Sequence, residues 1–409
     1  MHKCATIAVA LIALGASVGG CRGAGLQDFG EIARGRYLAT AADCGSCHTM
    51  PGSNQPFAGG RPIETPFGKL VAPNITPDDE TGIGAWSDDQ FDAAVRGGRA
   101  RDGARLYPAM PFPYYARMSR DDVKAIRAYL STVEPVHHAV TSDTLPFPFS
   151  LRSAMIAWDA LYFKPREFQP DAAKSAEWNR GAYLVQGPAH CGACHTPKTL
   201  LGGDKSTEAL RGDTLQGWVA PDITSGQGPL GAWTADDLAE YLKAGHNKYA
   251  AAAGLMAEVV QLSTSNMSDA DVKAIAVYLK DVSGPAAASA GSVDPDVLAA
   301  GGAIFGDLCA ACHQKDGQGV PRLFPQLSNA ASVAAADPTT VLRVILQGAP
   351  TVATEREPTG PAMPAFDWQL NDEQVAALAS YVRSHFAHAA GVSTEQARQA
   401  RADLAERAN

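Results

Sequence analysis

Apolar positions recur along this chain in three matching sets. Ser119-Arg-Asp-Asp-Val-Lys-Ala-Ile-Arg-Ala-Tyr-Leu130 matches Ser268-Asp-Ala-Asp-Val-Lys-Ala-Ile-Ala-Val-Tyr-Leu279, and Asn371-Asp-Glu-Gln-Val-Ala-Ala-Leu-Ala-Ser-Tyr-Val382 is a third copy. Each opens on a capping residue, follows with acidic residues that suit the helix dipole, and places apolar residues at i, i+3 and i+7. The pattern predicts three amphipathic closing helices. Upstream of each stands a second helical start: Arg34-Gly-Arg-Tyr-Leu38, Arg180-Gly-Ala-Tyr-Leu184 and Gly301-Gly-Ala-Ile-Phe305. Between them, Ala72-Pro-Asn-Ile-Thr76 echoes Ala220-Pro-Asp-Ile-Thr224, and Gly84-Ala-Trp-Ser-Asp88 echoes Gly231-Ala-Trp-Thr-Ala235, with Ser87 and Thr234 as expected helix N-caps.

Length agrees with a repeat, since 409 residues correspond to about three domains. Composition is globular, with 46% hydrophobic and 19% charged residues. A net charge of −9 and the lack of a dense basic run argue against a nucleic-acid partner. The eight cysteines are more informative. Six form Cys44-Gly-Ser-Cys47-His48, Cys191-Gly-Ala-Cys194-His195 and Cys309-Ala-Ala-Cys312-His313. This is the c-type haem attachment pattern. Two thiols on one helical turn reach the two vinyl groups of a porphyrin, and the adjacent His faces the iron. A zinc site or a thioredoxin-like pair would not require a His directly after the second Cys three times over. The expected fold is therefore all-α, three tandem class I-like cytochrome c domains, each with one covalently bound haem c.

A thioether opposite the His closes the iron and suits it to electron transfer. Met110, Met256 and Met363 lie 66, 65 and 54 residues after Cys44, Cys191 and Cys309, and they are the expected sixth ligands. Met110 and Met363 each precede a proline, which stiffens the approach. Met118 and Met267 are rivals, but both stand just before a capping Ser where the third repeat has Leu370. That position reads as the apolar residue of a hydrophobic staple. His137, His138, His190, His246, His385 and His388 could in principle displace a Met, but none recurs in register across the repeats and each reads as a surface or hydrogen-bonding residue; His190 and His246 fall nearest the second haem motif.

Residues 1–25 read as an export signal, with a basic start and an apolar run from Ala5 to Val18. Val18-Gly-Gly-Cys21 resembles a lipobox, so Cys21 is a candidate for acylation; plain cleavage nearby is the alternative. The remaining chain divides into domain 1 (28–135), an aromatic-rich strap (136–176), domain 2 (177–283), a linker (284–296), domain 3 (297–388) and a polar helical tail (389–409). Leu145-Pro-Phe-Pro-Phe149 and Met155, Trp158, Leu161, Tyr162 and Phe163 make the strap unusual. It either packs across the first two domains or forms a contact surface for a partner or membrane.

Leu106-Tyr-Pro-Ala-Met-Pro111, Glu177-Trp-Asn-Arg-Gly-Ala-Tyr183, His190-Cys-Gly-Ala-Cys-His-Thr-Pro197, Gly254-Leu-Met-Ala-Glu258 and Pro361-Ala-Met-Pro364 carry a resemblance over residues 30–387. The chain is similar to the tri-haem cytochrome c subunits of bacterial membrane-bound gluconate, fructose, sorbitol and alcohol dehydrogenases. The resemblance implies an electron-transfer subunit, not itself catalytic. It would accept electrons from a dehydrogenase subunit of flavin, quinoprotein or molybdenum type and deliver them to ubiquinone or a terminal oxidase. It also implies the same six cysteines, three histidines and Met110, Met256 and Met363 as haem ligands, and membrane association on the periplasmic side. Some such relatives carry a C-terminal membrane helix, whereas residues 388–409 here are polar. A free-standing periplasmic carrier, and a haem peroxidase or thiosulfate-oxidising cytochrome, are the competing readings.

Overall fold

Glycine sets the closest approach between helices at three places in this chain. The computed structural model describes residues 26–142, 144–226, 230–284 and 292–408. The expected leader, with Cys4 and Cys21, lies outside them, as do residues 285–291 of the expected linker. The first region runs α1 (Leu26–Ala41), α2 (Cys44–His48), a hairpin of β1 (Pro62–Thr65) and β2 (Gly68–Val71), α3 (Asp88–Gly97), α4 (Phe112–Tyr115) and α5 (Arg120–Leu130). The strap carries α6 (Met155–Tyr162). The second region repeats the order with α7 (Ala176–Gln186), α8 (Gly192–His195), β3 (Asp213–Leu215), β4 (Trp218–Ala220), α9 (Ala235–Ala244), α10 (Gly254–Leu262) and α11 (Asp269–Asp281). The third has α12 (Pro295–Leu308), α13 (Ala310–His313), α14 (Ala331–Ala334), α15 (Thr339–Gln347), α16 (Asp372–Tyr381) and α17 (Thr394–Ala408).

In each region the first helix packs on the closing helix: α1 on α5, α7 on α11, and α12 on α16. A Cβ added to Gly35, Gly181 or Gly301 would lie 3.0, 2.9 or 2.7 Å from the Cβ of Tyr129, Tyr278 or Tyr381, and would overlap the backbone carbonyl of Ala125, Ala274 or Ala377. Only glycine lets the two backbones meet this closely. The expected caps form: Ser119, Ser268 and Asn371 each accept a backbone N–H three residues on, and Ser87 and Thr234 close full capping boxes.

Met118, Met267 and Leu370 are buried, each in the same core as the valine four positions after its cap, Val123, Val272 or Val375. That is the staple arrangement expected from Leu370.

The structure is mostly helical but departs from a strictly all-α fold through its two antiparallel hairpins, Pro62–Val71 and Asp213–Ala220. In the second, Gln216 and Gly217 both have positive φ (50° and 71°), the turn geometry that matches strand twist. The tail also differs from its polar appearance. Ala397 and Ala400 of α17 are buried in the third core, and Arg401 pairs with Asp372 at 2.7 Å. Alanine is weakly apolar, so its buried face was hidden among the charges.

In the strap, the inner face of α6 is packed: Trp158 and Phe163 lie edge-on to Phe112 at 6.2 and 5.0 Å, and Asp159 pairs with Arg105. Its outer face is exposed. Among the described residues no helix is long and apolar enough to cross a membrane.

Candidate haem attachment sites

Each Cys-x-x-Cys-His segment forms a single helical turn directly after a long helix, so the glycine crossings fix where the thiols stand. All six cysteines are free of disulfides. Burial pushes the Cys44 and Cys191 thiols up to about 12, and those of Cys194 and Cys309 to about 11. A reactive redox pair needs the opposite shift, toward an easily formed thiolate. The Cys44, Cys191, Cys194 and Cys309 thiols, kept neutral by burial, are unlike such a pair, while Cys312 is exposed.

The histidines are oriented identically. His48 Nδ1 lies 2.7 Å from the Pro73 carbonyl oxygen, His195 Nδ1 2.7 Å from that of Pro221, and His313 Nδ1 3.0 Å from that of Pro325. An Nδ1–H donated to a carbonyl leaves Nε2 as the lone-pair nitrogen facing a metal. Burial lowers all three imidazoles from their usual range, opposed by these carbonyl contacts, so each is held neutral as ligation requires. The hairpins now have a purpose: β2 and β4 lead directly into Pro73 and Pro221. The two Ala-Pro repeats in the sequence were the signal for these acceptors, though a carbonyl has no side-chain signature, and Pro325 stands in a different context.

The methionines are placed unequally. Met110 and Cys44 pack against one core, and Met363 and Cys309 against another. Met363 is pinned by paired backbone hydrogen bonds with Ala349, at 2.9 and 3.0 Å. Met256 sits on α10 beside Ala252, Val260 and Val352, whereas Cys191 borders a different cluster; Tyr241 touches both. His190 Nδ1 is occupied by the Pro188 carbonyl at 2.8 Å, and its ring lies 5.5 Å from Tyr115. His246 Nδ1 is buried without a hydrogen-bond partner. Each region thus pairs two cysteines with a tethered histidine, the donor chemistry of covalent haem c attachment, and in the first and third a methionine borders the same core. Among the described residues there is no separate cluster of three or more His, Cys, Asp or Glu able to hold a metal ion.

The first two sites are locked together reciprocally. Arg34 pairs with Asp122 within the first region, and Arg180 grips Asp271 with two bonds of 2.8 and 2.7 Å within the second. Across the boundary, Tyr37 donates to Asp271 at 2.6 Å and Tyr183 donates to Asp122. The same Arg-Gly-x-Tyr segment therefore serves both sides of one interface, as in a two-fold contact. Sequence reading saw the repeated tyrosines without their partners. The result brings the attachment points close: the Cys194 thiol lies within electrostatic reach of Cys47 and Asp43, and the Tyr115 ring of the first region is 5.5 Å from His190, which precedes Cys191. Asp43, preceding Cys44, has its carboxyl pushed up to about 7 by burial, with Glu258 adding and Arg61 and Ser46 opposing.

Comparison with known proteins agrees with this chemistry. Residues 32–134 and 298–386 match the family described as Cytochrome c. The gluconate 2-dehydrogenase cytochrome c subunit of Pantoea cypripedii is 39% identical over 381 residues, covering 88% of this chain and 86% of that one. The fructose dehydrogenase cytochrome subunit of Gluconobacter japonicus is 38% identical over 407 residues, covering 91% and 83%. A nicotinate dehydrogenase subunit of Pseudomonas putida is 40% identical over 375 residues; these are 89% of this chain but 31% of that longer protein.

Proposed function

This chain belongs to the family of cytochrome c subunits of dehydrogenase complexes, and from that premise we propose that it is a three-haem electron wire serving one such enzyme. Its donor would be a catalytic dehydrogenase subunit of flavin, quinoprotein or molybdenum type, and its acceptor ubiquinone or a terminal oxidase. It would work on the periplasmic side of the cell membrane, behind a cleaved leader and with Cys21 as a candidate acyl anchor.

Each haem c, when bound, supplies one-electron redox at iron. The chain's own residues do the rest. The Cys44/Cys47, Cys191/Cys194 and Cys309/Cys312 pairs would hold the haems, and His48, His195 and His313 would offer Nε2 to iron. Pro73, Pro221 and Pro325 keep those rings from turning. Met110, Met256 and Met363 would be the second iron ligands and would keep oxygen or peroxide from the metal. The observation that carries the reading is the threefold His–proline carbonyl contact beside a Cys-x-x-Cys pair.

The test is purification from native membranes in mild detergent, with haem counted per chain and every stoichiometric partner identified. Three haems per chain and one dehydrogenase subunit in fixed ratio are expected. A chain that emerges alone with three low-spin haems would mean a free carrier, and high-spin open iron would mean a haem enzyme.

A further inference from the structure

We propose that the outer face of α6, with the two loops beside it, is a membrane-docking surface that seats the protein on an anionic bilayer. The inference deepens the proposed work at the membrane and rests on that reading.

Phe147, Phe149, Leu151, Ile156, Leu161 and Leu200 are all exposed, Phe147 at 79% and Leu200 at 97%. They come from separate stretches of chain that the structure binds into one unit. Trp158 Nε1 donates to the Leu201 carbonyl at 2.9 Å, the Tyr162 hydroxyl meets Thr199 at 3.2 Å, and Phe149 packs on Phe67 at 5.0 Å. A lone exposed leucine is ordinary, whereas a fixed cluster of large apolar side chains marks a contact surface. Since α6 buries its inner face against Phe112 and Arg105, its outer apolar face is available for a second contact.

Charge selects the occupant. The acidic groups here are paired: Asp159 with Arg105 and Asp204 with Lys198 and Tyr114, both turned inward, and the exposed Glu167 with Arg96. Lys164 and Arg166, directly after α6, and Lys205, directly after the Leu200 loop, are exposed. Cations bordering protruding Phe and Leu side chains, on a chain of net charge −9, fit a layer of anionic headgroups over hydrocarbon. The surface also begins three residues beyond Pro197 of the second haem motif, so docking would hold that haem beside the lipid phase.

The experiment uses haem-loaded protein exported behind a leader cleaved before residue 22, so that no acyl group is present. Flotation with vesicles of phosphatidylethanolamine and phosphatidylglycerol is followed by haem absorbance. The parent protein should float. Combined Phe147→Ser, Ile156→Asn, Leu161→Asn and Leu200→Ser should lower vesicle affinity by at least about tenfold with haem content and spectrum unchanged. Trp368→Ser, a 79% exposed apolar site in the third region, should leave it unaltered. Lys164→Gln, Arg166→Gln and Lys205→Gln together should weaken binding to these vesicles but not to pure phosphatidylcholine. A parent that does not float, or a fourfold variant that floats equally well, overturns the proposal while leaving dehydrogenase co-purification to judge the function. Loss of the dehydrogenase by the fourfold variant, with vesicle binding retained, would assign the face to the partner protein and likewise overturn it.

Discussion

Two glycines in one helix should respond oppositely to the same change. Gly301 and Gly306 both lie within α12, but a Cβ on Gly301 would stand 2.7 Å from both the Ala377 carbonyl carbon and the Tyr381 Cβ, while one on Gly306 would meet nothing within 4 Å. Carbon atoms in ordinary contact sit about 3.5–4.0 Å apart, so Gly301→Ala must force α12 and α16 apart by roughly 1 Å. The obstructing atoms are backbone and a Cβ, which no rotamer change can move. Overpacking of this kind costs about 1–3 kcal/mol, and the upper end applies here. Replacing a helical glycine by Ala returns about 0.5–1 kcal/mol, leaving a net loss of about 2 kcal/mol. At about 4–8 °C per kcal/mol for a unit of 60–100 residues, the third region should melt roughly 8–16 °C lower. Gly306→Ala should instead raise it by a few degrees. Calorimetry of the haem-loaded protein reads both. A second readout follows from position: α12 leads into Cys309, and α16 follows the Met363 loop. Separation at the crossing should therefore weaken methionine ligation of that haem and reduce its ferric-methionine charge-transfer band, leaving the other two haems unchanged. Equal effects from the two substitutions, or a neutral Gly301→Ala, would refute the reasoning.

Replacing Met110, Met256 or Met363 by Ala should lower the potential of one haem or open its iron, whereas Met118→Leu should leave all three spectra intact; spectropotentiometry separates these outcomes. Asp43, with its carboxyl held near 7, is neutral below that pH and anionic above it. A new negative charge stabilises ferric iron, so the potential of the haem on Cys44 and Cys47 should fall as pH rises from 6 to 8, by no more than about 59 mV per unit. Asp43→Asn should flatten that slope, and a slope that persists would place the titrating group elsewhere. Tyr183→Phe removes the hydrogen bond to the Asp122 carboxylate and should cost about 1.5–3 kcal/mol. Tyr37→Phe should cost a similar amount at Asp271, and each change should speed proteolytic separation of the first two regions.

What could be read from the sequence was local. The caps at Ser119, Ser268 and Asn371, the turn that sets two cysteines and a histidine together, and the staple position shared by Met118, Met267 and Leu370 each depend on residues a few positions apart. The hairpins escaped because strands of three or four residues are too short to show alternation. The burial of α17 escaped because its inner face is built from Ala397 and Ala400 among charged neighbours. Met256 looked equivalent to Met110 by spacing alone, yet it stands on a helix that also contacts the first region, where Glu258 meets Arg61 at 2.7 Å.

That last contact explains why separation along the chain is a poor guide to separation between redox centres. Tyr37, Tyr183, Arg61 and Glu258 all act across the boundary between the first two regions, and none belongs to the attachment motifs. An isolated domain would have no use for a tyrosine aimed at its neighbour's helix cap. Two regions each carrying a haem, as proposed, would, because tunnelling between centres depends on the gap that such contacts set. The Arg-Gly-x-Tyr segment therefore does two jobs within four residues. Its glycine closes one helix pair, which positions the thiols, and its tyrosine fastens that pair to the next. With Gly301 as the counterpart of Gly35 and Gly181, the third region has Ala300-Gly-Gly-Ala303 at this place, with neither the arginine nor the tyrosine. Its attachment to the rest runs through other contacts, Arg343 over the Trp218 ring and Arg356 on Asp269 among them. The first two haem sites should accordingly move as one body, with the third joined to them by a different and separately breakable set of bonds.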